Sequence, residues 1–334
     1  MSSKQPLILV SGFGSIGRRH LTNLIALRKS DTFVHSTGLG VIPKEGLGDV
    51  RVLKNLDEAL ACRPDAIVVA NPTSLHLDVA LRAVQAGCHL FVEKPISNKI
   101  EGVDVLAKEL DARKLACVVG FQYRFHPTLQ KVKGWIDQGV IGRVVSAQAH
   151  WGEYLPDWHS WEDYRVSYSA RNDLGGGVIL TLCHPFDYLC WILGEVESVF
   201  AVGGHVSKLD LDVEDTVQVT LRFKSGVVGG VHLDYVQRPP RHTLSLVGQD
   251  GTIEWDGHSG IARVYDASHR TWDEAAPPPG FERNTMFLEE MTHFLNCIQG
   301  KEQPICTLED GERALKIALA AKRSIVDGLP VSEC

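Results

Sequence analysis

The chain has 334 residues, a length at which one hydrophobic core usually gives way to two, so we expect two domains. Hydrophobic residues make up 44% of the chain and charged residues 22%, which excludes a disordered or fibrous protein. The formal net charge of -7, with no long run of Lys or Arg, argues against nucleic acid as a partner.

The cysteines and the apolar segments bear on the cellular compartment of the protein. Eight cysteines are scattered without a CxxC pair, a spacing that is typical of neither a zinc knuckle nor a disulfide framework. No apolar segment approaches the ~20 residues that span a bilayer. The first six residues lead directly into a strand-like run, which leaves no room for a signal peptide. We therefore expect a cytoplasmic protein with reduced thiols and no membrane partner.

The first third of the chain alternates between strand and helix patterns. Short apolar runs predict buried strands at residues 7–10, 32–35, 66–70, 90–92 and 116–120. Segments with helical period lie between them at residues 16–29, 56–62, 74–86 and 99–113. This alternation predicts a doubly wound parallel sheet of the Rossmann type over residues 1–122.

The rest of the chain favours a different architecture. Longer extended segments, several alternating in period two, cover residues 144–151, 196–206, 216–223, 227–236 and 242–247. Helices are predicted at residues 177–193, 284–299 and 308–326. The fold class is therefore α/β: an N-terminal Rossmann domain plus a C-terminal α+β domain, residues 123–334, with an open, predominantly antiparallel sheet. The last helices could also pack back on the first domain.

A glycine motif follows the first strand and opens the first helix. Gly12 suits the tight turn, Gly14 lets a pyrophosphate approach the backbone, and Gly17 allows close packing of the helix. This position predicts a dinucleotide site made by Gly12, Phe13, Gly14, Ser15, Ile16 and Gly17. The plain structural alternative is a glycine-rich turn that only joins strand to helix.

The residues about 20 positions further on bear on the choice of dinucleotide. Ser36 and Thr37 stand where an Asp or Glu would bind the ribose hydroxyls and repel a 2'-phosphate. The cofactor is therefore NAD or NADP, and the missing carboxylate slightly favours NADP.

Several ordered motifs then resemble one known family. They are Asn71-Pro-Thr-Ser-Leu-His76, Phe91-Val-Glu-Lys-Pro95, Gly120-Phe-Gln-Tyr-Arg-Phe-His-Pro127, Gly175-Gly-Gly177 and His184-Pro-Phe-Asp187. Together with the glycine motif they resemble the glucose-fructose oxidoreductase and inositol dehydrogenase family, Gfo/Idh/MocA, over essentially the whole chain.

The resemblance implies an NAD(P)-dependent oxidoreductase acting on a small carbohydrate-like substrate, in a homodimer or homotetramer. It places the dinucleotide between the domains and Lys94 near the substrate hydroxyl, where the lysine helps move a proton while hydride passes to nicotinamide. A cis peptide before Pro95 is typical of such members. The implied cofactor contacts are Asn71, Pro72, Thr73, His76, Glu93 and Lys94.

The family's second catalytic element lies on the helix after the triple glycine, where an Asp commonly stands four residues before a His. Here Leu180 occupies that position, and counting from the glycines places Thr181 there instead. His184 is the remaining candidate for general acid/base work, with Asp187 three residues on to orient its ring. The alternative is a core histidine. We expect no catalytic metal, because no third ligand stands at an informative spacing.

A loop over residues 151–165 is dense in aromatic and polar side chains that suit sugar binding. Arg165 and Arg171 could receive a carboxylate or phosphate, which would favour an acidic sugar or a sugar nucleotide. The predicted substrate contacts are Lys94, Arg124, Tyr164, Arg165, Asn172, Thr181, His184 and Asp187.

Three functions remain open at this point. The first is reversible hydride transfer between nicotinamide and a hydroxyl or carbonyl of a sugar, sugar acid, sugar nucleotide or cyclitol. The second is redox-neutral elimination or glycoside cleavage driven by transient oxidation. The third is a dinucleotide-binding sensor that has lost its chemistry, for which the missing aspartate is the best argument.

Overall fold

The computed structural model describes residues 5–38, 50–159 and 161–332. The chain divides into two compact units. The first unit comprises Met1–Gln122 and Arg283–Glu312, and the second comprises Tyr123–Glu282 and Arg313–Cys334. The chain therefore returns to the first unit after leaving it.

A six-stranded parallel sheet forms the centre of the first unit, in the order β3-β2-β1-β4-β5-β6. Its strands are β1 Leu7–Ser11, β2 Asp31–His35, β3 Val52–Leu53, β4 Ala66–Val69, β5 His89–Glu93 and β6 Cys117–Gly120. Every residue of β4 is buried, as expected for a central strand with helices on both faces. The reversal of strand order between β1 and β4 creates a crevice at their carboxyl ends.

The helices of the first unit are α1 Ser15–Leu27, α2 Leu56–Ala61, α3 His76–Gln85, α4 Val103–Arg113 and, after the return of the chain, α8 Arg283–Ile298. Met291, Phe294 and Leu295 of α8 join the core formed by the strands. The rings of Phe294 and Phe91 meet edge to face with centroids 5.6 Å apart. Helix α8 is thus an integral part of the first unit.

A nine-stranded mixed sheet dominates the second unit, in the order β14-β13-β12-β11-β7-β10-β9-β8-β15. Strands β7 and β10 pair in parallel and the other neighbours run antiparallel. The strands are β7 Val144–Gly152, β8 Val196–Gly204, β9 Thr216–Phe223, β10 Val228–Asp234, β11 Arg241–Gly248, β12 Gly251–Asp256, β13 Ala262–Asp266, β14 Thr271–Ala275 and β15 Val331–Ser332.

The helices of the second unit cover one face of this sheet. They are α5 Pro127–Asp137, α6 Val178–Thr181 and α7 His184–Leu193, while α9 Leu308–Asp327 begins in the first unit and ends in the second. Buried and exposed residues alternate along β9, so one face of that strand is covered and the other is accessible. This confirms the predicted fold class of a parallel Rossmann sheet plus an open, mostly antiparallel sheet.

Two sequence-based predictions about helices are wrong, and some strands were not predicted. The helix predicted at residues 177–193 is two helices, because Pro185 has no amide hydrogen to continue the hydrogen-bond ladder from α6. The helix predicted from residue 99 begins only at Val103, after Gly102 adopts a left-handed conformation with φ +92°. The pattern also missed β12, β13 and β14, which are short strands joined by tight turns.

In the described residues, the burial of the cysteines and the length of the apolar helices can be compared with the expectations from sequence. Six of the seven described cysteines are buried, and Cys334 lies outside the described residues. No single described helix has the length and apolar character to cross a bilayer, although the bent pair Asn172–Thr181 and His184–Leu193 meets those two criteria when taken together.

Candidate active site

The turn between β1 and α1 is built by close contacts that only glycine permits. Gly12 has φ +100°, and a Cβ there would overlap with the carbonyl oxygen of Ala70. A Cβ on Gly17 would overlap with the carbonyl oxygen of Gly12. The amide of Gly12 donates to the carbonyl of His35 at the end of β2, 3.0 Å away. The turn is therefore packed tightly against the ends of β2 and β4.

Gly14 differs from these two glycines because nothing lies within 4 Å of the position that its Cβ would take. It is exposed and stands at the N-cap of α1, where it offers no side-chain cap. The first turn of α1 also has no acidic residue. The uncapped amides and the positive end of the helix dipole therefore meet open space, and this arrangement fits the pyrophosphate of a dinucleotide.

The other residues of the glycine motif lie around this opening. Ser15 is exposed at the start of α1, and Phe13 and Ile16 are half-buried. The guanidinium of Arg18 lies over the Phe13 ring, 4.7 Å from its centroid. The motif thus presents one apolar ring and one cation beside the open backbone.

The end of β2 lies next to this turn. Ser36 is half-buried and Thr37 is exposed, and residues 35–38 include no carboxylate. One strand over, the Ser11 hydroxyl donates to Oδ1 of Asn71 at 3.1 Å and lies 2.8 Å from Nδ1 of His35. The carboxyl ends of β1, β2 and β4 are therefore linked by polar side chains at the crevice.

The Glu93-Lys94-Pro95 turn follows β5 along the same edge of the sheet. Glu93 is buried: its Oε1 lies 2.6 Å from Nε2 of His20 on α1, and its Oε2 accepts the amide of Lys94 at 3.2 Å. The Lys94–Pro95 peptide is cis. The Lys94 backbone is thus fixed, while its side chain is only partly buried.

His76 links the Lys94 turn to the segment that begins at Asn71. It is 2% exposed, with Nδ1 2.8 Å from the Pro95 carbonyl oxygen and Nε2 2.7 Å from that of Asn71. Burial lowers the pKa of His76, against the opposing effect of these two carbonyls. His76 therefore ties the Lys94 turn to the Asn71 segment. In that segment Pro72 is half-buried and Thr73 is buried.

In the second unit, His184 begins α7 inside a cluster of rings. It is 1% exposed, and the Tyr123 ring meets it edge to face with centroids 5.0 Å apart. The Trp151 ring is 5.3 Å from His184 and stacks on His242 at 4.2 Å. These aromatic contacts hold the imidazole in one orientation.

A buried ion pair holds the start of α7. Asp187 accepts hydrogen bonds from Nε and Nη2 of Arg124, at distances down to 2.6 Å, and their side chains are 1% and 4% exposed. Arg124 belongs to the turn that also holds Tyr123, which touches His184. The pair therefore positions both partners of that contact, and a guanidinium forked onto a carboxylate is among the strongest of protein hydrogen-bonded pairs.

The remaining predicted substrate contacts of this unit vary in burial. Thr181 is buried, and its side chain stands near that of Tyr235. Tyr164 is half-buried, and its hydroxyl accepts the amide of Asp210. Asn172 is exposed, and its amide donates to Asp212.

The two arginines assigned to an anionic substrate already face carboxylates. Arg165 pairs with Asp163 and Arg171 pairs with Asp173, each two residues away along the chain and exposed. These contacts occupy the guanidinium groups that a substrate carboxylate or phosphate would need. Ser160, in the same loop, lies outside the described residues.

Sequence reasoning overlooked His20, Tyr123 and His242. His20 has no recognisable motif spacing from Glu93, and only the packing of α1 against the sheet brings the two together. Tyr123 stands inside the motif of residues 120–127, next to Arg124, but its contact with His184 joins residues 61 positions apart. Its one signal was that position beside a predicted site residue.

Comparison with known proteins matches both units to one family. Residues 7–121 match the model described as "Oxidoreductase family, NAD-binding Rossmann fold", and residues 129–254 match "GFO/IDH/MocA C-terminal domain". The curated relative myo-inositol 2-dehydrogenase of Thermotoga maritima is 29% identical over 339 residues, with 95% of each chain covered.

Two solved structures have the same fold. A levoglucosan dehydrogenase in complex with NADH has a TM-score of 0.87 at 19% identity, with 98% of this chain and 99% of that one covered. The WlbA dehydrogenase of Bordetella pertussis, in complex with NADH and UDP-GlcNAcA, has a TM-score of 0.81 at 25% identity, with 99% of each chain covered.

The glycines of the turn make a first testable prediction. Gly14→Ala should leave the stability nearly unchanged and weaken dinucleotide binding about 10-fold or more, since its Cβ enters only open space at the pyrophosphate site. Gly17→Ala should instead destabilise the fold by about 1–3 kcal/mol through its overlap with Gly12. Urea denaturation and NADH fluorescence titration measure the two effects. Wild-type affinity in Gly14→Ala would contradict the assignment.

The buried ion pair makes a second prediction. Asp187→Ala should destabilise the protein by about 3–5 kcal/mol in urea denaturation, because it leaves the Arg124 charge buried without that partner. Arg124→Met combined with Asp187→Ala should recover much of the loss. The control Asp327→Ala breaks an exposed pair with Arg323 and should cost at most about 1 kcal/mol. Equal losses of stability in Asp187→Ala and Asp327→Ala would contradict a special role for the buried pair.

Proposed function

Because the chain belongs to the GFO/IDH/MocA family of oxidoreductases, we propose that it oxidises a ring hydroxyl of a cyclitol or pyranose sugar, or reduces the matching carbonyl. It is an NAD(P)-dependent oxidoreductase of the sugar and cyclitol class. The observation that carries the substrate proposal is Lys94 at the carboxyl end of β5, next to the Glu93 carboxylate that contacts His20 of α1, in a chain that matches an inositol dehydrogenase along its length.

Lys94 is the proposed group for proton transfer at the reacting hydroxyl. Its backbone amide donates to the Glu93 carboxylate, and its side chain is only partly buried. When bound, the nicotinamide ring accepts or donates the hydride. A positioned ammonium or amine is able to hold or take up the hydroxyl proton during that transfer.

His184 is the second proposed catalytic group, as the acid/base partner that exchanges the proton. Support comes from its place at the first residue of α7, where Tyr123 and Trp151 fix the plane of its ring. Arg124 and Asp187 are proposed as positioning residues, because they bond each other and hold the start of α7. His184 and Lys94 belong to different units, so each assignment rests on its own surroundings.

Paired substitutions test these two roles. Lys94→Ala and His184→Ala should each lower kcat about 10²–10⁴-fold while NADH affinity stays close to that of the wild type. Turnover of a panel of inositols, hexoses and sugar acids is followed by nicotinamide absorbance. Added primary amines should partly rescue Lys94→Ala, because a small amine can replace the missing proton carrier.

The matched control for this experiment is Lys99→Ala, which removes an exposed lysine five residues along the chain. It should leave kcat unchanged. Near-wild-type turnover in both Lys94→Ala and His184→Ala would refute the assignment. A wild-type chain that binds NADH and turns over nothing in the panel would instead favour the sensor function.

For the cofactor we propose that both dinucleotides are used, with NADP slightly preferred. The support is the end of β2, where Ser36 and Thr37 offer hydroxyl groups and no carboxylate to repel a 2'-phosphate. Ser36→Asp should shift the ratio of kcat/KM towards NAD about 10-fold or more, by charge repulsion. The uncharged control Ser36→Asn should shift it little. A wild-type ratio that favours NAD more than 100-fold would overturn the NADP preference.

A further inference from the structure

Three possible metal ligands meet on the accessible face of the second sheet. In the parallel register of β7 and β10, His150 stands beside His232, and Gly152 stands beside Asp234. Positions two apart along a strand share a face, so the two histidines and the aspartate lie on one side. Trp151 and Leu233, which alternate with them, are buried. The three ligand-type side chains are therefore separated from the His184 cluster by the sheet itself.

The Asp234 carboxylate is held by backbone amides. Its Oδ1 accepts the amide of Val236 at 2.8 Å and that of Gln237 at 2.6 Å. Its Oδ2 lies 3.3 Å from Nε2 of His232 and 3.8 Å from Nε2 of His150. One carboxylate oxygen is thus used to fix the group, and the other is directed at both imidazoles.

The imidazoles are arranged as metal-binding histidines commonly are. The ring centroids of His150 and His232 are 4.7 Å apart, and Nδ1 of His232 lies 3.3 Å from Oε1 of Gln218. Without an ion the His232 side chain hydrogen-bonds to Asp234, so an ion would displace a proton from Nε2, while the Gln218 oxygen would accept from Nδ1 in the other tautomer. Nε2 of His150 is buried and has no hydrogen-bond partner in the described part of the chain.

Gly152 makes the space for this arrangement. A Cβ at that position would overlap with Oδ2 of Asp234 and approach Gln237. Any other residue there would push the carboxylate away from His150. The absence of a side chain at position 152 is therefore what lets a carboxylate on β10 reach a histidine on β7.

We propose that His150, His232 and Asp234 bind one divalent transition-metal ion, best matched by Zn²⁺. The three ligand atoms lie within 4.8 Å of one another, and the two contacts to Asp234 bracket the ~3.4 Å that separates ligands about 2.1 Å from a tetrahedral zinc. Two imidazoles and one carboxylate suit zinc, whereas calcium and magnesium prefer oxygen ligands alone. The side chains of His150 and His232 are 24% and 32% exposed.

Hydrogen bonding alone explains this cluster less well. The contact between His150 and Asp234 is too long for a hydrogen bond, and Nε2 of His150 has no partner among the described residues even though the Gln237 side chain stands near the imidazole. A bound ion would satisfy that nitrogen and clamp the two parallel strands together. The site is distinct from the hydride chemistry, for which no metal is invoked.

The test uses the full-length protein, freed of any purification tag and stripped with EDTA. ZnCl₂ titration against a chromophoric chelator should show one high-affinity site per chain, and Co²⁺ should give the visible absorption of a tetrahedral nitrogen and oxygen site. His150→Ala and His232→Ala should each weaken Zn²⁺ binding about 100-fold. Zn²⁺ should raise the Tm of the wild type and not that of these variants.

Two further variants make the result decisive. His258→Ala, which removes an exposed imidazole elsewhere in the same unit, should bind Zn²⁺ as the wild type does. Gly152→Ala keeps all three ligands but displaces Asp234, so it should also lose the site. The proposal is overturned if the folded wild type binds no Zn²⁺, or if His232→Ala and His258→Ala bind it equally.

Discussion

The close approach of Gly17 to the Gly12 carbonyl is the constraint on which the first unit depends. It fixes α1 against the carboxyl ends of β1 and β4, so the uncapped start of the helix meets open space at Gly14. The same placement brings His20 of α1 to within 2.6 Å of the Glu93 carboxylate, whose other oxygen accepts the Lys94 amide. The backbone contact that shapes the dinucleotide turn therefore also determines where the proposed catalytic lysine stands.

In the second unit, side-chain contacts rather than a backbone contact determine where the proposed catalytic residue stands. Here a buried ion pair, with ring contacts around it, sets the start of α7 and thereby the orientation of His184. A buried pair of this kind contributes little net stability compared with apolar packing, but it is strongly destabilising to break. Because Arg124 and Asp187 are each other's partners, the family's missing aspartate is not replaced by a free carboxylate at Asp187. The proposed proton chemistry accordingly rests on His184 and Lys94.

The parts of the fold that depend on local pattern were predictable from the sequence. Buried runs such as residues 66–70 and the position of the glycine motif indicated the parallel sheet, because burial on both faces leaves a continuous apolar run. The division of the predicted 177–193 helix is not visible in the apolar period, because apolar residues continue through the break while Pro185 removes a backbone donor. The contacts of His20, Tyr123 and His150 join residues far apart in sequence, and only sheet register and helix packing bring them together. For that reason the sequence also carried no sign of the His150, His232 and Asp234 cluster.

In the proposed reaction, hydride passes between nicotinamide and a carbon atom of the sugar or cyclitol. Single-turnover reduction of inososes and keto sugars with NADH or NADPH deuterated at the transferred position of nicotinamide carbon four tests it most directly. Direct hydride transfer should place deuterium on the carbon that bears the new hydroxyl group, with stoichiometric oxidation of the cofactor. Product that forms without deuterium, while the cofactor keeps its label and stays reduced, would contradict it.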